Sequence, residues 1–132
     1  MSRVIVIGGG PAGMMAGIAS AAKGNVTTLL EKNSSLGKKL LITGKGRCNV
    51  TNSCPLDGFI ANTPVHGRFL YSALKGFSNQ DLMQFFESRG VPLKTERGNR
   101  VFPVSDRAAD IERALEAALR ELGVQVREGR AE

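Results

Sequence analysis

Residues Val4-Ile5-Val6-Ile7 run straight into Gly8-Gly9-Gly10-Pro11-Ala12-Gly13, and Glu31 follows after a helical stretch and a second apolar run. Each part of this segment meets a separate physical demand, so together they constrain the fold tightly. The β-branched run suits a parallel strand buried on both faces. Gly8 permits a tight turn out of that strand, and Gly10 lets backbone approach an anion with no side chain in the way. Gly13 lets the next helix pack closely on the strand. That helix, Pro11 to Lys23, is rich in alanine and stops at Gly24, a residue suited to the position past a helix end. Its N-terminus offers unpaired N–H groups and about half a positive charge. Val26 to Leu30 reads as a second strand with Glu31 at its tip, where a carboxylate accepts hydrogen bonds from ribose hydroxyls and repels a 2′-phosphate. Strand, glycine turn, helix, strand and acid, in that order, describe one half of a dinucleotide site.

Residues 4–22 carry no charge and follow Arg3, so a secretory signal or a membrane span is the competing reading of the same stretch. Gly8-Gly9-Gly10-Pro11 would break a helix in the middle of that apolar core, and neither reading accounts for Glu31. Composition fits an ordinary globular domain: 132 residues, 42% hydrophobic and 23% charged. Two cysteines and no secretory signal point to a reducing, cytoplasmic location without a disulfide framework.

The net charge of +6 is unevenly placed. Residues 1–60 hold seven Lys or Arg against two acids, while residues 61–132 hold eleven against ten. The excess sits around Lys32, Lys38, Lys39, Lys45 and Arg47, with no aromatic residue between Lys23 and Asp57. A nucleic-acid surface interleaves aromatics with its cations, so no nucleic-acid or membrane partner is expected. The cluster fits a local anion site, with a plain solvated basic loop as the alternative. Within it, Gly37-Lys38-Lys39-Leu40-Leu41-Ile42-Thr43-Gly44-Lys45-Gly46-Arg47-Cys48-Asn49-Val50-Thr51-Asn52 has glycines at 44 and 46 that permit positive φ and close backbone approach. A loop so placed after the ribose acid can wrap the rest of an extended dinucleotide.

The glycine fingerprint, Glu31-Lys32, this loop and the later Gly98-Asn99-Arg100-Val101-Phe102-Pro103-Val104-Ser105 resemble the bacterial NAD(P)/FAD-dependent oxidoreductases. More narrowly, they are similar to the aminoacetone-oxidase-family FAD-binding enzymes, a group that includes bile-acid-reductase-like flavoproteins. The resemblance implies FAD, bound through its ADP half at Gly8, Gly10, Pro11, Ala12, Gly13 and Glu31. It also places Lys32, Lys38, Lys39, Thr43, Gly44, Arg47, Cys48 and Asn49 near the cofactor, along a segment running from pyrophosphate towards the isoalloxazine. NAD(P)H is a candidate electron donor. The acid and glycines alone do not separate FAD from NAD; the loop makes that choice. Cys48 and Cys54 form Cys-x5-Cys where related flavin disulfide reductases resemble Cys-x4-Cys with a glycine before the second cysteine, and here Ser53 stands in that place. Cys48 therefore reads as a small residue packed beside the cofactor and Cys54 as incidental.

Farther along, Cys54 to Pro64 reads as loop and Arg68 to Lys75 as a short helix. A helix from Ser78 to Gly90 carries a capping box with Asp81, and Leu82, Met83, Phe85 and Phe86 read as core. Leu93–Arg97 and Arg100–Val104 flank a Gly98-Asn99 hairpin turn. His66, the lone histidine, and Tyr71 read as structural or exposed. Ser105 or Asp106 caps a last helix with Ala108, Ile111, Leu115, Ala118, Leu119 and Leu122 on one face. Arg107, Asp110, Glu112, Arg113, Glu116, Arg120 and Glu121 form its solvated face. Gly123 ends it and Val124-Gln125-Val126 begins a third strand. The expected architecture is α/β, a partial Rossmann-like FAD-binding domain: a βαβ unit, basic Gly-rich loop, helical and hairpin insert, helix and third strand.

Residues 1–132 are thus expected to be the N-terminal part of one such domain, without a substrate domain or a C-terminal segment closing on FAD. No catalytic residue or metal site is read from them, and the chain alone is expected to be inactive. An exposed sheet edge and apolar face predict self-association. A flavin oxidoreductase portion, a nucleotide-binding subunit completed by another chain, and an NAD-linked module are the readings left open.

Overall fold

A computed structural model describes all residues 1–132 and divides them into two compact units, residues 1–48 with 107–132, and residues 49–106. The first unit is built on a parallel sheet of β1 (Arg3–Ile7), β2 (Val26–Glu31) and β6 (Gln125–Glu128), in the order β1-β2-β6. Val6 pairs with Leu29, and Leu29 in turn with Val126. This is the 3-2-1 half of a doubly wound sheet. Helix α1 (Pro11–Ala22) follows the glycine turn, and α5 (Ala108–Glu121) precedes β6 and packs on α1.

Met14, Leu29, Ile111, Leu115 and Leu119 are fully buried and form the core of this unit, each contributing about 1.5–3 kcal/mol by leaving water. Gly17 lets the helices approach: a β-carbon there would lie 3.1 Å from Leu119 Cδ2. Thr27 is buried because its hydroxyl is hydrogen-bonded at 2.9 Å to that of Ser20. The opposite face of the sheet is open. Ile5 and Ile7 are 71% and 68% exposed, so β1 is buried on one face and not on the two its β-branched run predicts. The reason is that α1, with α5 packed on it, covers the side bearing Leu29, while the alternate side chains have no cover.

The second unit holds an antiparallel sheet, β3-β5-β4, from β3 (Thr51–Asn52), β4 (Leu93–Glu96) and β5 (Arg100–Pro103). The hairpin turns at Gly98 and Asn99, both with positive φ (76° and 59°). Helix α4 (Asn79–Ser88) carries the expected capping box, with Asp81 N–H donating to Ser78 Oγ at 3.1 Å and Ser78 N–H to Asp81 Oδ2 at 2.8 Å. Phe86 is buried from this helix.

Four readings of the sequence are corrected. Leu56–Ala61 is a helix, α2, where Pro55, Gly58 and Asn62 read as loop, because Pro55 is tolerated just ahead of a first turn that bears Asp57. Arg68–Lys75 divides into a tight 3-10 turn at Gly67–Leu70 and a short α3 at Tyr71–Gly76. Neither Ser105 nor Asp106 caps α5: Asp106 adopts a left-handed conformation (φ 56°) and its carboxylate accepts from Lys94 Nζ at 2.9 Å, and Arg107 stands at the N-cap, which makes no side-chain capping bond. On α5, Glu112 and Glu116 are half-buried, while Leu122, just past its end, is 38% exposed. No helix is long and apolar enough to cross a membrane.

Candidate functional site

The three parallel strands of the first unit all point their C-terminal ends at one edge, and the glycine turn lies there. Gly8 takes φ +103°, a conformation closed to most side chains, and its N–H donates to Leu30 O at 2.8 Å. Gly13 faces the turn so closely that a β-carbon would collide with Gly8 O. Gly10 is the reverse case, with nothing within 4 Å of its missing β-carbon. One glycine is therefore demanded by packing and the other leaves open room beside the start of α1. Gly10 offers α1 no side-chain cap, and Pro11 has no N–H. The N–H groups of Ala12 and Gly13 have no partner within the helix and, with the helix dipole, suit an anion.

Glu31 closes this arrangement. It is buried at the end of β2, and its Oε2 accepts from the Gly9 N–H at 2.6 Å. Oε1 accepts from the Asn33 N–H at 2.9 Å and from Asn33 Nδ2 at 3.1 Å. Gly37 N–H donates to Gly9 O at 2.9 Å, and Gly129 N–H to Glu31 O at 2.8 Å. The N–H groups of Asn33 and Gly9 hold the Glu31 carboxyl below its ordinary pKa, against the desolvation that would raise it, with Lys32 adding a smaller lowering effect. The carboxylate is thus ionised and pinned beside the glycine turn. Gly9, Asn33 and Gly37 are missing from the residues the sequence singles out. Gly9 sits between fingerprint positions, and only the paired strands bring it to Glu31.

The remaining candidates follow in the chain. Lys32, Lys38 and Lys39 are exposed. Leu40–Gly46 forms tight turns that pack against α5, with Gly44, Lys45 and Gly46 all at positive φ (55°, 58° and 84°). Thr43 Oγ1 donates to Leu40 O at 2.6 Å, and Thr43 O accepts from the Cys48 N–H at 3.0 Å. Arg47 is half-buried. Cys48 is buried at φ +59°, and burial pushes its thiol pKa up against a lowering hydrogen bond with Thr43. That is the opposite of an activated thiolate. Both Cys48 and Cys54 are free thiols. Asn49 belongs to the second unit, where its side-chain amide, turned so that the nitrogen donates, reaches Thr51 O and Val101 O at 3.0 and 3.1 Å. His66 is exposed at φ +54°, and Tyr71 is 47% exposed.

A cavity of about 470 Å³ opens beside Glu31, lined by Asn33, Leu36, Glu116, Arg120 and Arg127 among others. The edge thus carries a helix start suited to an anion, a fixed carboxylate and, beside that carboxylate, open space.

Comparison with known proteins agrees with this architecture. The family model described as HI0933-like protein Rossmann domain matches residues 2–131. The 3-dehydro-bile acid delta(4,6)-reductase of Clostridium scindens is 38% identical over 98% of this chain and 31% of its own length. The ribosomal RNA dihydrouridine synthase of Haemophilus influenzae is 28% identical over 76% of this chain and 25% of its own. The chain therefore spans about a third or less of the curated relatives it matches. Among solved structures, the 3-ketosteroid-delta4-(5alpha)-dehydrogenase of Rhodococcus jostii RHA1 superposes with a TM-score of 0.66 at 16% identity, over 96% of this chain and 38% of that one. THI4 of Thermovibrio ammonificans superposes with a TM-score of 0.60 at 18% identity, over 97% and 37%. These two likenesses concern the fold alone. A family match across nearly the whole length, carried by a Rossmann-like parallel sheet with its glycine turn and acid in place, shows that the chain belongs to the HI0933-like Rossmann-domain family.

Proposed function

We propose that this chain binds the ADP half of FAD and is the cofactor-binding portion of a flavin-dependent oxidoreductase. The observation that carries the reading is the Glu31 carboxylate, held 2.6 Å from the Gly9 N–H beside the open space at Gly10. In this reading the N–H groups of Ala12 and Gly13 and the dipole of α1 neutralise pyrophosphate, with Gly8, Gly10 and Pro11 shaping the approach. Glu31 accepts from the ribose. Lys32, Lys38, Lys39, Thr43, Gly44, Arg47, Cys48 and Asn49 serve the rest of the cofactor. The Gly37–Asn52 signature, which resembles that of FAD-binding enzymes, supports FAD over NAD. The bile-acid reductase relative supports a redox activity. When bound, the flavin supplies the electron transfer, while the protein supplies binding and electrostatics. NAD(P)H is the proposed electron donor.

The test is the visible spectrum of the purified protein, with the flavin released on denaturation measured against protein. A bound yellow chromophore near one per chain is expected, or its acquisition on adding FAD. A correctly folded, colourless protein that binds NAD and not FAD would overturn the reading.

A further inference from the structure

Asn33 lies two residues past Glu31, and nothing in the glycine–acid pattern calls for it. Its amide nitrogen and its backbone N–H both donate to Glu31 Oε1, at 3.1 and 2.9 Å. A carboxylate oxygen has two lone pairs, so Oε1 is filled by Asn33 alone. Oε2 accepts one close hydrogen bond, from Gly9, the Lys32 N–H adds a weaker contact to the carboxylate, and room is left there for one further donor. Because Asn33 Nδ2 is committed to Glu31, the amide oxygen of Asn33 is the end left to accept. Both residues line the same cavity of about 470 Å³. This pair offers a vicinal diol two acceptors on neighbouring residues, one charged and one neutral.

We propose that Asn33 is a positioning residue that fixes the Glu31 carboxylate for a ribose diol and shares the reading of its hydroxyls. This rests on the nucleotide-binding reading above. The ligand chemistry is that of an adenosine diphosphate with both ribose hydroxyls intact. The Gly9 and Asn33 N–H groups each hold one carboxylate oxygen, and the Asn33 side-chain amide adds a further donor to Oε1 that tightens this orientation and aims its own oxygen beside the carboxylate.

The experiment is calorimetric titration of the full chain with ADP and with 2′-deoxy-ADP, in the wild type and in Asn33→Ala, Asn33→Ser and Glu31→Gln, with thermal melting of each. A hydrogen bond to a charged group is worth enough that the wild type should prefer ADP over 2′-deoxy-ADP on the order of tenfold or more. In Asn33→Ala that ratio should fall at least about threefold while the melting temperature stays near wild type. Asn33→Ser, which keeps a shorter hydroxyl donor able to make the same local bond, should recover part of it. A merely structural role would weaken both ligands alike and lower the melting temperature, and that result overturns the proposal. So does an unchanged ratio in Asn33→Ala when Glu31→Gln has lost it, which leaves the nucleotide reading standing. A wild type that binds neither ligand overturns both.

Discussion

The Oε2 oxygen of Glu31 accepts a 2.6 Å hydrogen bond from the backbone N–H of Gly9, twenty-two residues earlier in the chain. The bond ties the tip of β2 to the turn after β1. A β-carbon on Gly9 would displace the Leu36 Cδ2 methyl and lie 3.0 Å from Glu31 Oε2, so this contact favours glycine in the middle of the triplet. The acid is consequently a structural element of the turn as well as a candidate ligand group.

Glu31→Gln is expected to weaken ADP binding about tenfold or more, and charge reversal to Arg to weaken it further, as measured by calorimetry. The same variant reports pH linkage. The folded-state pKa of Glu31 lies below its ordinary value of 4.5, so its contribution to stability is present above about pH 4.5 and is lost as pH falls through the folded value. The stability gap between wild type and Glu31→Gln should therefore narrow in acid; a gap that widens below pH 4 would contradict the assignment.

Gly13→Ala and Gly10→Ala should behave oppositely. The first drives a β-carbon onto Gly8 O, a backbone atom that cannot rotate away, and should destabilise the fold by about 3 kcal/mol or more in urea denaturation. The second meets nothing within 4 Å and leaves helical and extended backbone unstrained, so stability should change by less than about 1 kcal/mol. Its effect should appear in nucleotide affinity, as a loss of about tenfold.

On α5, burial and a hydrogen bond with Glu116 raise the Glu112 carboxyl to about 7, with Arg113 opposing. Glu112 also packs on Gly37, its Cγ 3.0 Å from where a β-carbon of that glycine would sit. A raised carboxyl pKa favours the folded state below the unfolded value of 4.5, and this contribution is lost as pH rises through about 7. Glu112→Gln should therefore melt higher than wild type at pH 8, by a few degrees, and the advantage should shrink towards pH 4. Melting curves at the two pH values decide it.

Ile5 and Ile7 present an exposed apolar stripe on the open face of the parallel sheet, at 71% and 68% exposure. Self-association through this face and the free edge of β1 is expected in dilute buffer. Ile5→Lys with Ile7→Thr should shift sedimentation towards the monomer with little loss of secondary structure. An unchanged sedimentation profile would place any association elsewhere.

Much of this was readable in the residues because it is set by neighbours in the chain. The β1–α1–β2 unit is announced by a β-branched run, a glycine triplet, alanines at helical spacing and a stop at Gly24. The capping box at Ser78 and Asp81 spans three residues, and the Gly98-Asn99 turn two. Features that depend on distant partners were illegible. Asp106 looks like a helix cap until Lys94, on another strand, takes its carboxylate at 2.9 Å. Glu112 looks solvated until the segment at Gly37 packs against it. The six-residue α2 and two-residue β3 are too short to leave a periodic signal.

By itself, then, the sequence determined a strand, a glycine turn, a helix and an acid at the spacing of a nucleotide half-site, since backbone freedom and side-chain period are local properties. Only the tertiary structure decided what holds the acid. Glu31 is pinned by Gly9 and Asn33 because the parallel pairing of β1 with β2 brings the glycine turn to the end of β2. A hydrogen bond across twenty-two residues exists only once that pairing has formed.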